Sequence, residues 1–314
     1  MGEVLVELKN VHKNFGDIKA LRGIDLSIKR GNIYGLLGHN GAGKTTIIRL
    51  IGGVLRADLG EISVFGLDPI RFGKKVRRKI GVLSENTGLY GNLTAYENLK
   101  YYGKMYGISN DELKIRIDEY LTQFGLNDVK NRLVKEFSTG MKKKLGIIRA
   151  VLHRPELLLL DEASNGLDPI SRNEFHEMLD ILVRKQNIGV VLCSHDLEEV
   201  KKICDFITII KKGKNVFSGD LKSIISDKEK IDIEISVFQD NEKSRAMLKR
   251  NFEKMHIKDY EFKKGLIKVR IDKLEDANEI IHVVIHSGMA VYGVSYQAFD
   301  LEKLYSEIDK ENQI

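Results

Sequence analysis

Cysteine is nearly missing from this chain. Its 314 residues hold only Cys193 and Cys204, with no C-x-x-C pair and no cluster at metal-ligand spacing. That excludes a disulfide scaffold and a thiolate metal site, and leaves two reduced core cysteines of a cytosolic protein as the expectation. Long hydrophobic runs are missing too. No stretch approaches the ~18 apolar residues of a membrane span. The most apolar late segment, Ile280 to Val294, is broken by His282, His286, Ser287 and Gly288. The opening MGEVLVELKN has neither a basic n-region nor an apolar h-region, so no signal peptide is expected. There is no internal repeat and no low-complexity tract. Nor does one sign of charge dominate: 51 basic against 45 acidic side chains give +6. That excess suits a protein that handles anions such as nucleotides, or sits near anionic lipid, without demanding nucleic acid.

What is present is ordinary globular composition, 42% hydrophobic and 31% charged, in a chain long enough for one large domain or two ordinary ones. Its first 220 or so residues alternate short apolar runs with helical patterns, as in an α/β domain with a largely parallel sheet. The runs are Ile33–Leu37, Leu157–Leu160, Val190–Cys193 and Ile207–Ile210. Val4–Leu8, Ile24–Ile28 and Ile62–Phe65 alternate apolar and polar residues instead, which suits an antiparallel sheet with one wet face. Between about 90 and 150 the pattern turns helical. Thr94 to Glu97 reads as a capping box, after which Tyr96, Leu99, Tyr102 and Tyr106 fall near one helical face. Ser109 to Glu112 reads as a second box, opening a helix that should stop near Gly125. After about residue 222, strands at Ile231–Val237, Tyr260–Phe262, Ile267–Ile271 and Ala290–Tyr296 alternate with helices at Asn241–Met255 and Leu274–Ser287. The order β-α-β-β-α-β suggests a small ferredoxin-like α+β domain, followed by a last helix at Leu301–Ile308.

The chemistry concentrates at strand ends. Gly38, His39, Asn40, Gly41, Ala42, Gly43, Lys44 and Thr45 match the P-loop pattern G-x-x-x-x-G-K-[ST] between a strand and a helical run, Thr46–Leu55. The glycines let N–H groups point inward at phosphate oxygens. Lys44 offers a cation to the β- and γ-phosphates, and Thr45 offers a hydroxyl to Mg²⁺. Leu157 to Leu160 form a buried strand from whose carboxyl end Asp161 and Glu162 emerge. Beside a P-loop, Asp161 is a candidate Mg²⁺ ligand and Glu162 a candidate to orient the attacking water. His195 ends the run from Val190. It reads either as a structural histidine or as a donor to a γ-phosphate oxygen.

With these residues in view, the first ~220 positions resemble an ATP-binding subunit of the ABC transporter family. The ordered set GHNGAGKTT, FSTGM, LLLLDE, SNGLDP and SHD carries the resemblance. It implies a P-loop NTPase: a RecA-like α/β core with an antiparallel β subdomain and a helical insert at about 90–150, all within 1–221. The second domain, 222–314, resembles the C-terminal extensions of export-type members. ATP and Mg²⁺ are the implied ligands, with Lys44, Glu162 and His195 catalytic. Gly38 to Thr46 would bind the phosphates. Phe15 falls where the family stacks an aromatic on adenine, the alternative being a core Phe. Thr45, Asp161 and Glu85 would meet Mg²⁺. Glu85 stands where the family usually has Gln, and its charge should weaken ATP binding or raise Mg²⁺ dependence.

The signature segment Phe137, Ser138, Thr139, Gly140, Met141 departs from the usual Leu-Ser-Gly-Gly-Gln. Ser138 and Gly140 are retained, and Thr139 and Met141 resemble a variant of drug- and antibiotic-exporting members. By resemblance this segment caps the γ-phosphate of ATP on the opposite subunit, which requires a second copy of the chain in a head-to-tail dimer with two ATPs between. Asp168 in Ser164–Asp168 would cross that interface; it also makes a good N-cap ahead of Pro169, and both roles are compatible. Lys142, Lys143 and Lys144 read as a solvated helix face, with no aromatics interleaved for base stacking and no nucleic-acid partner expected. Separate transmembrane permease subunits are the implied partners, met through Leu89–Tyr106, whose tyrosines have core packing as the alternative. The chain would then lie at the cytoplasmic face of the cell membrane and drive export of a drug, peptide or lipid. Competing readings are a soluble ATPase of this family acting on ribosomes or DNA, and a nucleotide-gated module that hydrolyses poorly. Intact Lys44, Asp161, Glu162 and His195 argue against the last.

Overall fold

In a computed structural model, residues 3–221, 223, 231–271 and 275–297 are described; the expected helix at 301–308 lies outside them. The chain divides into two compact units, Met1–Asp220 and Leu221–Ile314.

The first unit opens with a long antiparallel hairpin, β1 (Val4–Phe15) and β2 (Ile18–Lys29). Next come β3 (Ile33–Leu37), the short helix α1 (Lys44–Ile51) and β4 (Leu59–Val64), which pairs antiparallel with β1. The resulting three-stranded sheet has the order β2-β1-β4. Its apolar residues Leu5, Leu8, Ile24, Ile28 and Val64 are buried in a common core with α1 and the second sheet. Helix α1 is shorter than the apolar run to Leu55 suggests. Gly52 caps it, and Gly53 turns the chain at φ +63°, where any Cβ would strike the carbonyl of Pro69.

Helix α2 (Gly73–Arg77) leads to β5 (Ile80–Ser84). An all-helical stretch follows: α3 (Ala95–Met105), α4 (Asn110–Gln123) and α5 (Thr139–Val151). Thr94 and Glu97 form the expected reciprocal box on α3. On α4 only half the box forms. Ser109 caps the N–H of Glu112, but the carboxylate of Glu112 turns to Arg116 one turn on, a stronger charge-assisted partner than a backbone N–H. Then β6 (Leu157–Asp161), α6 (Pro169–Gln186), β7 (Gly189–Ser194), α7 (Leu197–Ile203), β8 (Phe206–Lys211) and β9 (Lys214–Asp220) complete the unit.

These strands build a six-stranded sheet of order β5-β6-β7-β3-β8-β9. Every pair from β5 to β8 is parallel, and β9 is antiparallel at the edge. Parallel pairing places the carboxyl ends of β3, β5, β6 and β7 along one rim. Leu37 lies in register with Ser194, and Asp161 with both Cys193 and Ser84. Residues that follow these strands therefore converge, as ligand-binding loops do in open α/β sheets. Both free cysteines are buried, as expected of core residues.

The second unit contains β10 (Ile231–Phe238), α8 (Glu242–Lys254), β11 (Tyr260–Lys263), β12 (Leu266–Ile271), α9 (Asp276–His286) and β13 (Ala290–Gln297). Asn241 caps α8 through the N–H of Ser244. The strands form one antiparallel sheet of order β11-β12-β10-β13. Ile233, Ile235, Ile267 and Val269 pack from it against Leu248 and Phe252 of α8 and Ile280 and Val284 of α9.

Candidate active site

The turn after β3 needs glycine for two distinct reasons. Gly43 caps α1 at φ +116°, a backbone that side chains rarely adopt. Gly38 has ordinary backbone but no room, since a Cβ would meet the carbonyl oxygen of Ile210 at 2.4 Å. No side chain caps α1, and no acid sits in its first turn. Its leading N–H groups, which lack intrahelical acceptors, would therefore meet an anion without competition.

Lys44 is 5% exposed. Its ammonium donates to the carbonyls of Gly38 and His39, and stands 3.1 Å from Oε1 of Glu162. This ion pair lacks hydrogen-bond geometry, so Oε1 is a buried acceptor with no hydrogen bond. The other oxygen, Oε2, takes a 2.8 Å hydrogen bond from Nδ1 of His195. Glu162 thus joins two elements, holding the cation of α1 with one oxygen and the histidine after β7 with the other. Its backbone is left-handed, φ +51°, immediately after β6. A non-glycine residue in that region carries strain of a kind found at functional sites.

Thr45 donates its hydroxyl to Oδ1 of Asp161 at 3.2 Å. Burial pushes the Asp161 carboxyl above the ordinary value; the Thr45 bond opposes this and the charge of Glu162 adds to it. A hydroxyl and a carboxylate this close form an oxygen-only donor set, suited to adjacent positions on a small hard cation such as Mg²⁺. A bound dication would favour the charged carboxylate that burial disfavours.

Lys44, Thr45, Asp161, Glu162 and His195 are thus joined by direct contacts, while the remaining candidates make theirs elsewhere. Phe15 ends β1 and is 44% exposed beneath the ammonium of Lys13, which excludes the core alternative. Glu85 follows β5 and is exposed. Ser138 caps α5, its hydroxyl accepting from the N–H of Met141 at 3.2 Å. Gly140 is buried, and a Cβ there would meet Oγ of Ser171 at 2.5 Å. Asp168 accepts from the N–H groups of Ile170 and Ser171 and from that same Ser171 hydroxyl. The signature turn and the Asp168 cap therefore abut through one serine.

The three-lysine run is not a solvated face. Lys143 is 4% exposed and donates to the carbonyl of Glu85. Lys144 pairs with Glu174 of α6 at 3.0 Å. Helical period held the signal: Gly140, Lys143 and Ile147 recur at i, i+3 and i+7 on the buried side of α5. Glu199, with no functional reading from sequence, has a buried carboxylate bonded to Ser194 and His176.

The family model for the ABC transporter matches residues 21–165. The chain is 39% identical to the ABC transporter ATP-binding protein NatA of Bacillus subtilis over 73% of its own length and 95% of that protein. It is 34% identical to the bacitracin transport ATP-binding protein BcrA of Bacillus licheniformis, over 97% of each. Among solved structures, the ATP-binding subunit of an ABC transporter superposes with a TM-score of 0.64 at 30% identity, over 71% of this chain and 92% of that one.

Proposed function

The chain belongs to the ATP-binding, ATP-hydrolysing proteins of the ABC transporter family, and from that premise we propose the role of each residue at the site. The backbone from Gly38 to Thr46 wraps the phosphates of ATP, His39, Asn40, Gly41 and Ala42 forming the turn and Gly43 and Thr46 flanking Lys44 at the start of α1. Lys44 holds the β- and γ-phosphates, and Phe15 stacks on adenine. Thr45, Asp161 and Glu85 would hold Mg²⁺, which when bound would neutralise phosphate charge. Glu162 takes a proton from the attacking water. His195, whose Nδ1 fixes the Glu162 carboxylate, presents Nε2 to the γ-phosphate. The observation that carries this reading is Glu162 itself, gripped by Lys44 on one side and His195 on the other. Glu162→Gln keeps the shape and removes the base. It should lower kcat for ATP by a factor of about 100 or more with KM little changed; undiminished turnover rejects the assignment.

One chain has one P-loop and one signature segment. We read Ser138, Thr139, Gly140 and Met141 as completing the site of a second copy, and Asp168 as crossing between the two. Hydrolysis would then remove the charge that both copies grip and open the dimer.

Among the described residues no helix is long and apolar enough to cross a membrane. We assign the transport path to separate permease subunits and place this chain at the cytoplasmic face of the membrane. Support comes from a groove of about 480 Å³ between α2, β5, α3 and α5, lined by Lys74, Arg77, Arg78, Tyr102, Tyr106 and Arg149. Tyr90 and Tyr101 are exposed nearby in sequence and stack edge-on. Such a cationic, aromatic groove suits a segment of the permease. BcrA, matched over nearly its full length, is named for bacitracin transport; by likeness we read the cargo as a drug, peptide or lipid moved outward. The relatives support transport rather than action on ribosomes or DNA. The strand order of the second unit supports a ferredoxin-like accessory domain. Purification from solubilised membranes tests the assignment: a multispan permease should accompany the tagged chain, and ribosomes arriving without one would reject it.

A further inference from the structure

The ladder between β1 and β4 ends at the His12–Leu59 pair, before it reaches Phe15. Asp58, the residue just ahead of β4, continues the contact in the ladder's place. Its N–H donates to the carbonyl of His12 at 2.9 Å. Its carboxylate accepts from the backbone N–H of Asn14 at 2.6 Å with Oδ2, and from the ammonium of Lys13 at 2.7 Å with Oδ1. One residue thus holds His12, Lys13 and Asn14 in succession. A carboxylate that takes both a backbone and an ammonium donor grips more firmly than a neutral pair would.

The base of this grip is firm. Gly60, at φ +89°, brings β4 so close to β1 that a Cβ would meet the carbonyl oxygen of Asn10 at 2.3 Å. From there the hold extends to Phe15. The side chain of Lys13 is mostly buried, and its ammonium stands 5.6 Å from the centre of the Phe15 ring, within cation–π range. With an ammonium over one face, only the other face is free to stack on a flat partner. Core packing does little for this tip of the hairpin: Phe15 and its ladder partner Ile18 are both exposed. What orients the ring is the Lys13–Asp58 contact.

We propose that Asp58 is a positioning residue for the base of the nucleotide: it fixes the end of β1 and, through Lys13, the ring of Phe15, so that adenine meets a platform of set orientation. The proposal rests on the reading of Phe15 as the adenine platform, and goes beyond it in naming what holds that platform. Asp58 itself touches no part of ATP in this scheme. Without its carboxylate the N–H of Asn14 can turn to water, so the fold survives, but Lys13 and Phe15 are released. The loss then falls on binding of the base and not on the chemistry at Glu162.

The test is ATP turnover by the full-length chain as Asp58→Ala, Asp58→Asn, Lys13→Met and Phe15→Leu, with Asp58→Ala also placed in the Phe15→Leu background. The tether predicts that Asp58→Ala raises KM for ATP about 3- to 10-fold while kcat stays within about twofold. Asp58→Asn keeps an oxygen for the Asn14 N–H and should raise KM less. In the Phe15→Leu background Asp58→Ala should add less than about twofold, because the ring it positions is gone. A native KM in Asp58→Ala, an effect undiminished in Phe15→Leu, or a loss confined to kcat overturns the proposal. If Asp58→Ala folds poorly, Lys13→Met decides: a raised KM upholds the tether and a native KM overturns it. Failure of the underlying reading looks different. Phe15→Leu with a native KM removes the platform itself, whereas a raised KM in Phe15→Leu beside a native KM in Asp58→Ala rejects only the tether.

Discussion

The ammonium of Lys143 donates a 2.8 Å hydrogen bond to the backbone carbonyl of Glu85, across 58 positions of sequence. The bond links two candidate functional segments of one chain: α5, which Ser138 caps, and the loop after β5, which carries Glu85. Burial lowers the Lys143 pKa, and the charge of Glu85 partly offsets this. A lysine accepts such desolvation only with a partner, and here the partner is the loop itself.

Removing the donor should free that loop. Lys143→Met keeps the apolar stem and deletes the bond, so a stability loss of about 1–2 kcal/mol is expected from urea unfolding. ATP turnover should fall more than that loss explains, with a higher Mg²⁺ concentration needed for half-maximal rate. Lys143→Arg retains a donor and should recover part of both. A Lys143→Met protein with native Mg²⁺ dependence would make the contact a packing detail.

Glu85 itself brings a formal negative charge where a neutral amide is usual, close to the triphosphate in the proposed site. Glu85→Gln should tighten ATP binding and lower the Mg²⁺ requirement, because one repulsion against phosphate is removed while an oxygen ligand stays. Titrating ATPase rate against Mg²⁺ at fixed ATP reads this directly. Superimposable curves for the two proteins would remove Glu85 from the metal shell.

How much of this was legible in the sequence follows from where each interaction is encoded. The P-loop, the Asp161–Glu162 pair and His195 are short contiguous stretches, each at the end of a visibly apolar strand, and a parallel sheet brings strand ends together whatever else happens. Strands β5 and β9 are not legible as apolar runs. Both lie at sheet edges, where one side is wet and the apolar pattern thins to Val82 exposed in one and Lys214–Asp220 largely polar in the other. Lys143 is misleading in the sequence because three consecutive lysines look like solvent-facing charge, although only the helical repeat says which of them turns inward. Glu112 shows the same limit: its spacing from Ser109 spelled a capping box, but Arg116 outcompeted the backbone. The Glu199 carboxylate draws its partners from β7 and α6, and only the fold assembles them.

His153 offers a pH-dependent handle on stability. Burial lowers its pKa from 6.5 to about 4, despite the contact of Nε2 with the carbonyl of Ile80, and its ring stacks on Tyr106 at 3.8 Å. The native chain keeps this ring neutral while the unfolded chain protonates it below 6.5, so unfolding takes up a proton and stability falls with acid. The contribution is complete above pH 6.5 and is lost progressively towards pH 4, about 3 kcal/mol in all. His153→Phe preserves the stack and cannot titrate. Its unfolding free energy, followed by urea denaturation between pH 7 and 4.5, should fall less steeply than that of the native chain. Parallel curves would show that His153 does not carry the acid sensitivity.

The signature segment gives the most demanding test of the proposed dimer. Ser138 caps its own helix through Met141, so a purely local role is available to it. The two roles separate when chains are mixed. Ser138→Arg leaves Lys44, Asp161, Glu162 and His195 intact but would spoil the site of the other copy. Glu162→Gln leaves Ser138 intact but disables its own site. Each protein alone should bind ATP and hydrolyse almost none. In an equal mixture, half of the dimers pair one variant with the other, and one of their two sites joins a native Glu162 to a native Ser138. Turnover should therefore return to at most about a quarter of the native rate. No recovery on mixing, with both proteins still binding ATP, would return Ser138 to the status of a helix cap.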